Sequence, residues 1–440
     1  MRILLAAHGF PPTHSAGAER QTDRMARWLV AHNHHVEVFA VEKINEPGFR
    51  VETGVQDGFT VHRLFYDIKA GNDPFRNEYD YPPIGDALRE LLQQRTFDLI
   101  HLISGYLLAG QVIHTAHEMN MPVIVSLMEF WFMCARLNLI QATGKLCNGP
   151  ESYQKCARCL MEEKRRYRLP ARVAPALMDM FWLVAQHLPS AKAMTETIIR
   201  RDWTLRRALD AADLVICISQ HQLNLFSEFD FNKKGHFVCI PFGLDMPVGG
   251  KPNHARQQNG LRLGYIGQIK EHKGVDLAVD AVVELLDAGE KVSLDLWGPE
   301  AEAPHYVAEL KRRSANYPNI RWNGHYTGSK VWEVLAELDV LVVPSRWYET
   351  GPAVIREAFV MGLPVVATNL GNMAILVEHE KSGLLFELNN TLDLRRQLER
   401  LLHEPGLLDR LRAGIPPVKT IDEEMQEIVA HYTRLLARSQ

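Results

Sequence analysis

The sequence predicts an α/β chain of two doubly wound parallel-sheet domains, and three observations predict it. Short apolar runs lack in–out alternation and are interleaved with helix-period stretches, as strands buried on both faces require. The pattern stops at a polar, Gly- and Pro-bearing stretch, 246–259, and then restarts. The 440 residues are also too many for one ordinary core.

The first strand is read at 3–7. The segment Met1-Arg2-Ile3-Leu4-Leu5-Ala6-Ala7 is apolar but short and lacks a cleavage region, so a buried strand fits it better than a signal peptide. A helix pattern over 18–31 comes next, then strand runs at 36–41, 99–102, 123–127 and 214–218. Beyond the linker come a strand at 261–266, a helix at 275–288, and strands at 292–297 and 340–343. A helix carrying Glu357 and a strand at 365–367 complete the series. Domains are expected at 1–248 and 260–415, with a last helix in 416–440 packing back on the first domain. That helix opens on a Thr420/Glu423 capping box. Its stripe of Ile421, Met425, Ile428, Val429, Tyr432, Leu435 and Leu436 must be covered.

A formal net charge of −4 disfavours a nucleic-acid binder. No apolar run reaches spanning length, since 176–189 is broken by Asp179, Gln186 and His187, and a cytoplasmic chain is expected. The segment 162–207 stands apart. It carries ten basic residues (Lys164, Arg165, Arg166, Arg168, Arg172, Lys192, Arg200, Arg201, Arg206, Arg207) against five acidic ones, around Met178, Met180, Phe181, Trp182 and Leu183. Such an excursion fits either peripheral contact with the anionic inner face of a membrane or a helical hairpin with a solvated face. Of six cysteines, Cys134, Cys147, Cys156 and Cys159 fall within 26 residues. In a cytosolic chain that clustering, with Cys156-Ala157-Arg158-Cys159 at knuckle spacing, suits a structural zinc site; reduced or oxidation-sensitive thiols are the alternatives.

The strongest chemical signal is Glu349 and Glu357, eight positions apart. The strand Val340-Leu341-Val342-Val343 feeds a turn through Thr350 and Gly351, and Pro352 fits the first position of the next helix. Between the carboxylates lie the free amides of a helix start, around Ala353, which attract phosphate. Amides for phosphate and carboxylates for hydroxyls suit a sugar–diphosphate–nucleoside. Two further loops support this. Leu263-Gly264-Tyr265-Ile266-Gly267-Gln268 is followed by Lys273-Gly274 at a helix entry, where a lysine can hold a diphosphate. In the first domain His14-Ser15-Ala16-Gly17-Ala18-Glu19-Arg20 joins a strand to a helix, and Gly17 admits close backbone approach to a ligand. Both loops fall at C-terminal strand ends, where parallel sheets bind ligands.

Taken in order, Gly17-Ala18-Glu19-Arg20, Pro241-Phe242-Gly243-Leu244-Asp245, Gly267…Lys273-Gly274, Glu349-x7-Glu357, Gly362-Leu363-Pro364-Val365-Val366-Ala367-Thr368, Gly371 and Gly383-Leu384-Leu385 resemble retaining glycosyltransferases of family four. The resemblance spans nearly the whole chain. It implies the GT-B fold, two Rossmann-like domains facing a cleft, and transfer of a hexose from a UDP- or GDP-sugar. The acceptor would be a glycan, a lipid-linked sugar or a small metabolite.

By the same resemblance Lys273 contacts the donor diphosphate and Glu349 holds hydroxyls of the transferred sugar. The amides around Thr350, Gly351 and Ala353 lie near the phosphates, Glu357 binds the ribose, and Gly17 covers the diphosphate. No divalent metal or other cofactor is needed for the chemistry. Three positions depart from the family pattern. Gln268 stands where an arginine is usual, Thr350 where a phenylalanine is common, and Met128-Glu129 where many relatives have His-Asp. Glu129 is either a partial substitute for that histidine or the mark of a different acceptor. His101, His114 and His117 read as core or solvated residues. A nucleotide-sugar epimerase of the same fold and a non-catalytic partner subunit are the alternative functions.

Overall fold

The computed structural model describes all residues except 15–16, 44–47, 70, 72, 248–259, 326–329 and 439–440. The chain folds as two compact units, Met1–Pro241 with Asp422–Gln440, and Phe242–Ile421. The linker expected over 246–259 lies almost wholly outside the described residues.

The first unit holds an eight-stranded sheet of β1 (Arg2–Ala7), β2 (His35–Lys43), β3 (Phe49–Gln56), β4 (Phe59–Tyr66), β5 (Leu99–Ile103), β6 (Val123–Leu127), β7 (Leu214–Cys217) and β8 (Phe237–Cys239). Their order is β3-β4-β2-β1-β5-β6-β7-β8. Every pairing is parallel except that of β3 with β4. That edge hairpin is absent from the sequence reading because β3 is exposed along almost its whole length and so has no apolar pattern. The legible signal was its turn, Asp57-Gly58, with both residues at positive φ.

The second unit holds β9 (Leu261–Ile266), β10 (Val292–Trp297), β11 (Ile320–Gly324), β12 (Val340–Val343), β13 (Val365–Thr368) and β14 (Gly383–Phe386), all parallel, in the order β11-β10-β9-β12-β13-β14. Alternate residues of β12 feed two cores. Val340 and Val342 join one with Leu263 and Leu294, and Leu341 and Val343 join another with Ile355 and Phe359. Cover on both faces explains why β12 and β13, buried at every position, read as apolar runs, whereas β10 alternates with Ser293 and Asp295 half-buried. Counted from β9 the strand order is 3-2-1-4-5-6, so the direction of strand addition reverses between β9 and β12. The loops after those two strands therefore lie at the switch point of the strand order, where open parallel sheets bind ligands.

The helix Ile421–Arg438 buries Met425, Ile428 and Tyr432 within the first unit. Polar contacts among the described residues fix its register. Gln21 Nε2 donates to Glu424 Oε1 at 2.7 Å, Trp28 Nε1 donates to Asp422 Oδ1 at 2.6 Å, and the Tyr432 hydroxyl is bonded to His101 Nδ1 at 2.6 Å. The other ring nitrogen of His101 is bonded to Ser126 Oγ at 2.8 Å. His101 is thus a core residue, and burial lowers its pKa from 6.5 to about 3. Tyr432→Phe should leave Nδ1 without a partner and cost about 1–3 kcal/mol in chemical denaturation. An unchanged midpoint would show the bond to be idle. Because the neutral ring is the folded form, the unfolded chain takes up this proton first. The contribution of His101 is complete above pH 6.5 and is lost as pH falls toward about 3.

Candidate active site

In the second unit β9 leads through Gly267 into a single 3₁₀ turn, Glu271–Lys273, closed by Gly274 at φ +68°. A Cβ built on Gly274 would stand 2.0 Å from the Pro344 carbonyl oxygen. Only glycine lets the loop after β9 touch the loop after β12 backbone to backbone, and this contact brings Lys273 against Glu349.

Lys273 Nζ lies 2.7 Å from Glu349 Oε1, and Ser345 Oγ and Trp347 Nε1 donate to the same oxygen, each at 2.7 Å. The ammonium also sits 4.7 Å from the centre of the Trp347 ring. Glu349 is only 9% exposed. Among the described residues all its side-chain bonds fall on Oε1, which leaves Oε2 open to accept from a ligand. Burial pushes the Glu349 pKa up. The charge and hydrogen bond of Lys273, with the bonds from Ser345 and Trp347, outweigh it and hold the carboxyl below its ordinary value. Glu349 is therefore an ionised, acceptor-only group.

A second layer fixes this turn. Arg346 grips Asp276 with two bonds of 2.6 and 2.7 Å, reaches Asn389 Oδ1 at 2.7 Å, and its backbone N–H donates to the His272 carbonyl at 2.8 Å. Burial, with Lys273 beside it, lowers His272 to about 4, so its ring is neutral near pH 7.

The other expected donor-binding residues lie on the same two loops and the helix after them. Gln268 is in the Lys273 loop, where its Nε2 donates to Glu302 Oε2 at 3.2 Å and its carbonyl accepts from the Tyr265 hydroxyl at 2.6 Å. Thr350 and Gly351 form the turn, and the Thr350 carbonyl accepts from Asn372 Nδ2 at 2.9 Å. Pro352 is not the first helical residue that the sequence suggests. Its ψ of 92° is extended, it caps the helix, and Ala353–Val360 is the helical span. Glu357 is half-buried about one turn into that helix and is not bonded to Glu349. Ser345 and Trp347 were missed as site residues. The available signal was that a carboxylate this buried needs more than one donor.

The first unit gathers a separate group at the ends of β1, β5 and β6. Ser104, at φ 67°, donates from Oγ to Glu129 Oε1 at 2.7 Å. Burial pushes the Glu129 pKa up, against the charge of His8 and the Ser104 bond. His8 Nε2 lies 3.3 Å from Glu19 Oε1, and the buried Glu19 Oε2 has no partner among the described residues. Gly17 is the first residue of the helix Gly17–Ala31, and a Cβ built there meets no described atom within 4 Å. Its neighbours Ser15 and Ala16 lie outside the described residues. His114 and His117 sit along the helix Ala109–Glu118, away from the strand ends.

Cys134, Cys147, Cys156 and Cys159 line one cavity of about 230 Å³ in the first unit, and all are free thiols. Burial, reinforced by the neighbouring sulfurs, raises Cys156 to about 12. Burial likewise takes Cys159 to about 11. Among the described residues no three Cys, His, Asp or Glu side chains form a group that could hold a metal ion. The donor chemistry suits zinc, but the side chains as placed do not supply its geometry.

A family model described as "Glycosyl transferase 4-like domain" matches residues 16–243, and one described as "Glycosyl transferases group 1" matches 260–404. Among curated proteins the chain is similar to 2-deoxystreptamine glucosyltransferase of Streptomyces kanamyceticus, 28% identical over 186 residues, 41% of this chain and 48% of that one. It is also similar to D-inositol 3-phosphate glycosyltransferase of Streptomyces bingchenggensis, 31% identical over 158 residues, 34% of each chain. The chain thus spans about half or less of the length of these curated relatives. Among solved structures, sucrose-phosphate synthase from Thermosynechococcus elongatus superposes with a TM-score of 0.66 at 17% identity, covering 100% of both chains. Anabaena HepE in complex with UDP and glucose gives 0.62 at 16% identity, covering 98% of this chain and 99% of that one. At such identities the likeness is one of fold, and the fold is GT-B.

Proposed function

The chain belongs to the glycosyl transferase 4-like family, and from that premise we propose that it moves a hexose from a UDP- or GDP-sugar to an acceptor hydroxyl with retention at the anomeric carbon. The observation that carries the reading is the Lys273–Glu349 pair at the strand-order reversal of the second unit, with Glu349 Oε2 left open. On this reading Glu349 accepts from hydroxyls of the sugar, and Lys273 and the amides around Thr350, Gly351 and Ala353 neutralise the diphosphate. Gln268 borders the phosphates and Glu357 takes the ribose. The bond between the anomeric carbon and the phosphate oxygen breaks, and the acceptor oxygen bonds on the same face. Its proton passes to the leaving phosphate, whose growing charge Lys273 stabilises. Glu129, held by Ser104, is the proposed acceptor-side carboxylate. The acceptor class is a glycan, a lipid-linked sugar or a small metabolite.

Support for a nucleotide-sugar donor also comes from the HepE structure, whose complex contains UDP and glucose. The test is to incubate the protein with UDP- and GDP-hexoses, with and without acceptors, and follow the anomeric proton by NMR. A product of unchanged anomeric configuration supports the reading. Epimerisation without acceptor would replace it with the epimerase alternative, and no reaction with any donor would leave the non-catalytic one.

Gly17 is proposed as a donor-binding position, where the backbone comes close to the diphosphate. The open space around it supports this, because a Cβ there would meet no described atom of its own unit within 4 Å. Gly17→Val should leave the melting temperature unchanged and raise the donor KM about tenfold or more. A fall in melting temperature with an unchanged KM would make it a folding position instead.

Zinc at Cys134, Cys147, Cys156 and Cys159 is proposed on donor chemistry and the shared cavity alone. The four side chains would have to turn inward from their present positions to close such a site, and about one zinc per chain in metal analysis would support it. Less than about half an equivalent would make the four groups ordinary reduced thiols.

A further inference from the structure

We propose that the helical excursion of the first unit is a docking surface for an anionic phospholipid bilayer, independent of the reaction the chain performs. Its centre is the helix Pro175–Ala185, which is apolar on nearly every side. One stripe, Met178, Trp182 and Ala185, packs into a small local core with Met161, Ala171 and Ala191. The opposite stripe has the same helical spacing and is bare. Leu177 is 68% exposed, Met180 66% and Val184 72%, with Phe181 and Leu183 beside them. A helix that is apolar all round is normally enclosed by protein or lipid. Here half of it is enclosed and half faces outward.

The preceding helix, Arg165–Val173, supplies the charge. Arg165, Arg168, Leu169, Arg172 and Val173 recur at helical spacing, and all five are exposed. Leu169 and Val173 extend the apolar surface, and the arginines can lay their stems along it while their guanidinium groups reach outward. Among the described residues none of Lys164, Arg165, Arg166, Arg168, Arg172 and Lys192 has an ion-pair partner. Of the exposed acids of the excursion, Glu163 and Asp179 are paired with Arg136 and Arg158, and Glu196 stands on the following helix near Lys192. Unpaired cations beside bare apolar side chains are the complement of an anionic headgroup layer over acyl chains. No helix of the described residues is long and apolar enough to cross a membrane, and Pro175–Ala185 is about 16 Å long at 1.5 Å per residue. It would lie in the interface plane.

The test is co-sedimentation of the full chain with vesicles of phosphatidylcholine alone and of phosphatidylcholine with about a third phosphatidylglycerol, at low and high salt. The protein should sediment with the anionic vesicles at low salt and stay in solution with the neutral ones. Replacing Leu177, Met180 and Val184 by serine should reduce binding at least tenfold, as should Arg165→Glu with Arg168→Glu and Arg172→Glu. The substituted side chains are exposed, so unchanged circular dichroism and melting temperature are expected and separate lost binding from lost folding. Wild-type protein that stays in solution with anionic vesicles at low salt would overturn the proposal. So would a dimer in sedimentation equilibrium that the serine variant dissociates, because a second copy would then be what covers the face.

Discussion

Lys273→Ala is expected to lower kcat/KM for sugar transfer by about 10²–10³-fold, the usual cost of deleting one preorganised group at a developing oxyanion. Two effects of the deletion must be separated. Lys273 is the cation paired with the nearly buried Glu349, at 2.7 Å, so its removal leaves that carboxylate, among the described residues, with the Ser345 and Trp347 bonds. The pKa of Glu349 should then rise, and the fold should lose about 1–3 kcal/mol. The catalytic effect should exceed what partial unfolding explains, since a folded fraction still near unity cannot account for a hundredfold loss. Lys273→Met keeps the length and the packing on Trp347. It should show the same kinetic loss with a smaller stability loss. A variant that melts earlier but turns over normally would make the pair purely structural.

Glu349→Gln is expected to cost at least as much, and its signature is different. An amide can keep one acceptor toward Ser345 and Trp347, but at the other position it must present either a donor or its only carbonyl oxygen. The ionised carboxylate satisfies the inner donors with Oε1 and keeps Oε2 for a sugar hydroxyl. The amide cannot do both while also balancing Lys273. A loss of about 10³-fold in kcat/KM is expected. A double-mutant cycle with deoxy donors makes the assignment specific. Removing the hydroxyl that Glu349 holds should cost the wild type heavily and the glutamine variant little. Because the Glu349 pKa is lowered, wild-type activity should show no acidic limb from this group near neutrality, only one below the ordinary carboxylate range. Equal penalties for every deoxy donor in both proteins would remove Glu349 from the sugar.

Much of this was legible in the sequence because the strands that matter are buried on both faces. β9, β12 and β13 are largely apolar, broken in β9 only by half-buried Arg262, and each passes into a loop at a C-terminal strand end. Strand patterning thus placed Lys273 and Glu349, 76 positions apart, on ligand-binding loops, and the resemblance to family-four glycosyltransferases assigned them to one donor. The missing pieces share a cause: they are set by tertiary contacts with weak local signatures. Ser345 and Trp347 look like ordinary turn residues until the convergence on Oε1 is seen. Ser104 shows no link to Glu129 until β5 and β6 lie side by side. The β3–β4 hairpin is polar and exposed, so only its Asp57-Gly58 turn announced it. Pro352 fell one position outside its helix, where local propensity cannot distinguish a cap from a first turn. The cysteine spacing suggested a metal knuckle, whereas the fold places the four thiols around a cavity without bringing three of them together.

The central claim is that the Lys273–Glu349 turn holds the diphosphate sugar. Titration calorimetry of UDP, GDP and their hexose conjugates, on wild-type protein and on Lys273→Ala checked to be folded, tests it most directly. One nucleotide series should bind the wild type with one site per chain, and Lys273→Ala should weaken it at least tenfold, about 1.4 kcal/mol. Equal affinity in the two proteins, or no binding of any of these ligands to the wild type, would contradict the assignment.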